Sequence, residues 1–165
     1  MKASGFTLIE LLIVVAVIAI LAGLLFVTLK PLQRFQDSRN AQRWADANAL
    51  LSAIKLDQVD NGGSYHTNIA AMADNTYYHI GDASTGCNTT CLNPTVALQE
   101  ACVDIYGFID EGYLAELPLE PNNTDASEDH IGYYLYKYDT GQICVGACAE
   151  EQGSNSAAPT IEICR

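Results

Sequence analysis

The chain has 165 residues and a mass of 17.8 kDa, which is room for one domain of ordinary size. Apolar residues make up 49% and charged residues 17%, so this is not a charge-swollen disordered polymer. Eight basic groups face twenty acidic ones, and the net charge of −12 argues against nucleic acid as a direct partner, because phosphate binding needs a basic face.

The near-zero mean hydropathy hides an asymmetry. From Phe6 to Leu29 there are 24 residues with a single charge, Glu10. As a helix this run spans roughly 36 Å, enough to cross a hydrocarbon core of about 30 Å. It lacks the polar residues at a 3.6-residue period that a soluble helix would show. A secretory signal cut behind the run fits poorly. The apolar stretch exceeds the usual length of about 7–15 residues, and Lys30-Pro31 follows in place of a small-residue cleavage site. A plain anchor accounts for the length but gains nothing from Glu10. A carboxylate in hydrocarbon is costly and usually has a partner and a function.

From Pro31 to about Asp60 the pattern stays helical and becomes amphipathic. Leu32, Phe35, Trp44, Ala47, Leu50, Leu51 and Ile54 mark the apolar face, while Arg34, Arg39, Arg43, Asp46 and Asp57 lie among polar neighbours. Pro31 is expected to kink the rod. Asn61-Gly62-Gly63 ends it.

Residues 61–165 carry two basic groups, Lys137 and Arg165, against fifteen acidic ones, a net of −13. All six cysteines lie here: Cys87, Cys91, Cys102, Cys144, Cys148 and Cys164. An even count outside the membrane reads as disulfides, with the pairing left open. The close pairs Cys87/Cys91 and Cys144/Cys148 also have a zinc-like spacing, which an oxidising compartment disfavours. A short helix is expected around Val96–Val103, a strand over Ile131–Tyr138, a turn at Asp139–Gln142, a strand over Ile143–Ala149 and a last one over Thr160–Cys164. His66, His79 and His130 are isolated in sequence, and no nucleophile elbow, P-loop or dinucleotide fingerprint is present, so no enzyme is expected.

Met1-Lys2-Ala3-Ser4-Gly5-Phe6-Thr7-Leu8-Ile9-Glu10 resembles the class III signal of type IV pilins and the pseudopilins of type II secretion: a short basic leader, a Gly, Phe-Thr-Leu-Ile-Glu and a long apolar helix. The resemblance implies an α+β lollipop, a long N-terminal helix bearing a small antiparallel sheet. It divides the chain into a leader (1–5), a transmembrane and polymerisation helix (6–30), an amphipathic helix packed on the head (31–60) and an acidic disulfide-bonded head (61–165). It implies cleavage between Gly5 and Phe6 by a prepilin peptidase, N-methylation of Phe6, and a membrane assembly platform acting on a single-pass precursor whose head lies outside. The product would be a homo-oligomeric helical filament, with other pilin or pseudopilin subunits as partners. Glu10 would neutralise the Phe6 amine of a neighbouring subunit. The stem proline of many type IV pilins falls one turn earlier, where this chain has Val27.

The resemblance leaves two destinies open: a surface filament for adhesion, motility or DNA uptake, and a periplasmic secretion piston. A monomeric anchored binding protein would need no Glu10. Major pseudopilins often hold calcium in a loop before the sheet. Glu120, Asp125, Glu128 and Asp129 offer oxygens there, but the family's calcium motif is not matched residue by residue, and no other cofactor is expected.

Overall fold

A computed structural model describes residues 5–88, 91, 98–122 and 126–165. Two helices come first, α1 (Leu8–Leu29) and α2 (Pro31–Asp60). The break between them is complete. Lys30 adopts a left-handed conformation (φ 43°), closing α1 and opening α2, and Pro31 takes the first position of α2, where its missing N–H is no loss. The expected kink is thus an interruption.

The head contributes a one-turn helix α3 (Thr67–Ala70), strand β1 (Thr76–His79), a second one-turn helix α4 (Gly107–Asp110), and strands β2 (Tyr133–Lys137), β3 (Ile143–Ala147) and β4 (Glu162–Cys164). The strands form one antiparallel sheet in the order β1-β2-β3-β4. The chain is therefore α+β, a long helix capped by a small antiparallel sheet. β1, α3 and α4 are too short to show a period in sequence. The helix expected around Val96–Val103 is absent where the structure describes it. Leu98 bridges to Tyr77 and Val103 to Ile80, so this stretch lies beside β1 as extended chain. Residues 96–97 lie outside the described residues.

Two glycines are required by close packing. Gly146 sits opposite Tyr134 in the β2–β3 register, and a Cβ there would fall 2.2 Å from the tyrosine ring. Gly132 combines φ +87° with a Glu120 Cβ only 2.4 Å from where its own would be.

The stem covers one face of this sheet. Ala47, Leu50, Leu51, Ala53 and Ile54 are fully buried against Tyr133, Leu135, Ile143, Val145 and Ile161. The buried stripe continues in both directions with polar side chains, Asn40 and Arg43 on one side and Asp57 on the other. The expected face was wrong at its start: Leu32, Phe35 and Trp44 are exposed, and Arg43 occupies the core instead.

Arg43 can do so because its guanidinium is fully satisfied. It pairs with Glu120, both side chains being wholly buried, and Nε donates to Glu120 Oε1 at 2.6 Å. Nη1 donates to Asn40 Oδ1 at 2.7 Å and lies 3.1 Å from Glu151 Oε2. Arg39 takes the rest of Glu151, with Nε donating at 2.6 Å and its other arm forming an ion pair, which holds that carboxyl below the usual carboxylate range. Asn40 closes the network by exchanging two hydrogen bonds with the Glu151 backbone. Tyr133 adds a hydroxyl donated to Asp46 at 2.7 Å. Breaking one partner of a buried pair strands the other in a low dielectric.

Arg43→Ala is therefore expected to lower the unfolding free energy by about 3–5 kcal/mol, measured by urea denaturation of the full chain in detergent. Glu150 gives a pH signature. It is buried beside this network, its Oε1 accepts from the Ile161 N–H at 3.1 Å, and burial pushes its carboxyl up to about 7. The unfolded chain releases this proton first, so its contribution to stability falls as pH rises from the ordinary carboxylate value to about 7 and stays low above it. Glu150→Gln is expected to flatten that decline and to stabilise the head at pH 8 by about 2 kcal/mol, read from melts at pH 5 and pH 8.

Candidate assembly site at the amino terminus

α1 has no buried residue over its 22 positions. Phe6, Val27 and Phe26 are more than 70% exposed. By length and composition α1 can cross a membrane. Among the described residues nothing buries it, so its apolar surface requires lipid or other protein.

The start of α1 is fixed by a reciprocal cap. Glu10 N donates to Thr7 Oγ1 at 3.3 Å, while the Thr7 N–H and hydroxyl donate to Glu10 Oε2 at 2.9 and 2.7 Å. This is the S/T-x-x-E capping box, legible in Thr7-Leu8-Ile9-Glu10 as a helix start. The cap turns the carboxylate back towards the chain start, onto the residue that follows Phe6. Among the described residues no basic side chain pairs with Glu10. Gly5 is exposed and has open space where a Cβ would lie, so the Gly5–Phe6 bond is accessible. Met1–Ser4 of the expected leader lie outside the described residues.

The family model of the prokaryotic N-terminal methylation motif matches residues 1–26. The chain carries the class III signal of type IV pilins and pseudopilins. The match ends inside α1, so it assigns the rod and not the head. No curated protein and no solved structure matches the chain.

The head's sequence-predicted residues fall into separate places. The cysteines pair as Cys87–Cys102, Cys91–Cys148 and Cys144–Cys164, which leaves no thiolate among them for zinc. The last pair ties β3 to β4, and the second ties the sheet to the segment that runs beside β1. Of the four acidic residues considered for calcium, three are described. Glu120 is buried on Arg43, Glu128 and Asp129 are exposed, and Asp125 lies outside the described residues. His79 and His130, distant in sequence, meet with ring centroids 5.6 Å apart. Burial, and then the His130 charge, pushes His79 down to about 4, so it is a neutral core side chain at physiological pH. The stem's polar anchors, Asn40, Arg43 and Asp57, were not recognised from sequence as buried. The available signal was that they share the 3–4 spacing of Ala47, Leu50 and Ile54.

Proposed function

We propose that this protein is a structural subunit of a type IV pilus-like filament. In this reading the precursor sits in the cytoplasmic membrane with its head outside. Prepilin peptidase cuts it between Gly5 and Phe6, the new Phe6 amine is methylated, and an assembly platform packs the apolar rods side by side into a surface fibre for adhesion, motility or DNA uptake. The observation that carries the reading is the class III signal on a rod whose apolar surface has no cover within its own chain.

Glu10 is the assembly residue. Once cleaved, the chain begins with an ammonium at Phe6, and Glu10, four residues on, has its carboxylate held by Thr7, the residue that follows Phe6. Packing the rods moves both charges out of water. A buried charge costs several kcal/mol unless paired, so the register that joins one subunit's amine to the next subunit's Glu10 is favoured over its neighbours. The acidic heads repel one another and do not supply this attraction.

Imaging of cells with and without this gene is expected to show long surface fibres that depend on it, and Glu10→Ala is expected to abolish them while the precursor still accumulates in the membrane. Unchanged fibres in the variant would defeat the role of Glu10. Absence of long fibres from the wild type, with a loss of protein export on deletion, would move the subunit to the secretion pseudopilus.

A further inference from the structure

We propose that a cavity at the stem–head junction binds a hard divalent cation through Asp57 and Glu111. The cavity has a volume of about 400 Å³ and is open to solvent on one side. Asp57 comes from the last turn of α2 and Glu111 from the residue after α4, so the two carboxylates reach it from separate elements. Asn61, Ser64 and Thr67 add neutral oxygens to the same lining.

Asp57 is the deciding residue. It is wholly buried, and its Oδ1 accepts from Asn61 Nδ2 at 2.7 Å. Its Oδ2 has no hydrogen-bond partner among the described residues. No basic side chain pairs with it there either. Lys55, two residues earlier on the same helix, instead gives its ammonium to Tyr65 and Gln58 at 2.6 and 3.1 Å. A carboxylate taken out of water in this way requires a counter-charge.

The surroundings favour a cation over any other occupant. The last turn of α2 carries no basic residue, so the negative end of its dipole is uncompensated beside the cavity. Apart from the His66 imidazole, the donors of the lining are oxygens, the ligand type of calcium and magnesium. The cavity's volume leaves room for the waters that complete a shell of about six to eight oxygens. An ion held there would join the end of the stem to the α4 turn. The site is distinct from the acidic loop around Glu128 and Asp129.

The test uses the mature full-length chain in detergent, stripped with a chelator. Terbium luminescence sensitised by Tyr65, which lines the cavity, reports occupancy. Calcium is expected to displace terbium with a dissociation constant of about 10⁻⁴–10⁻³ M, the range of extracellular calcium modules, and to raise the melting temperature. Asp57→Asn and Glu111→Gln are each expected to weaken calcium binding at least tenfold, while a Glu128→Gln/Asp129→Asn double variant leaves it unchanged. Glu111 is exposed, so Glu111→Gln decides the matter if Asp57→Asn does not fold. No calcium binding by the wild type, equal affinity in the Asp57 and Glu111 variants, or loss confined to the Glu128/Asp129 variant would each overturn the proposal.

Discussion

The rest of this molecule is organised around a helix that its own fold leaves uncovered. α1 presents apolar side chains on every side and none of its 22 residues is buried. At about 25 cal/mol per Å² of apolar surface, a rod of that size in water is prohibitive. Lipid can cover it before assembly and sister rods can cover it afterwards. The one charged exception, Glu10, sits in the first turn, where a threonine cap fixes its carboxylate. In an otherwise featureless apolar surface a single placed charge is the only element that distinguishes one register from another.

The second constraint is that the head must stay fixed to the rod's continuation. Ordinary apolar packing provides the middle of that joint, through Leu50, Leu51 and Ile54, where α2 lies on β3 and β4. Its membrane-proximal edge is polar. Arg43, Glu120, Glu151, Arg39 and Asn40 form a buried network in which each charge depends on the others. Such a network resists sliding, because moving α2 by one turn would strand several charges at once, whereas apolar packing alone tolerates re-registration. The left-handed break at Lys30 lies between this fixed joint and the rod, so the rod can change direction without disturbing the head.

Much of this was legible in the sequence, and the failures have physical causes. The apolar run, the signal around Gly5-Phe6 and Glu10, the helix stop at Asn61-Gly62-Gly63 and the last three strands all show in local patterns. Leu32, Phe35 and Trp44 were misplaced because an apolar period tells which residues share a face but not where along the rod the head begins. The pairing of Arg43 with Glu120 does not show in the sequence, because the burial of each depends on a partner 77 positions away, which no local pattern reveals. The helix expected near Val96–Val103 failed for a similar reason. The Cys87–Cys102 disulfide and bridges to β1 hold its described part extended, and these tertiary links override helix propensity. Strand β1 was missed because four residues, Thr76–His79, are too few to show alternation.

The account stands on the apolar rod remaining in the finished protein with a free, modified start. Intact-mass and terminal-peptide mass spectrometry of the chain purified from its native host measures this directly. The account predicts a first residue of Phe6 bearing one added methyl group, with the whole of α1 still attached. A chain that still begins at Met1, or one that begins beyond Leu29, would contradict it.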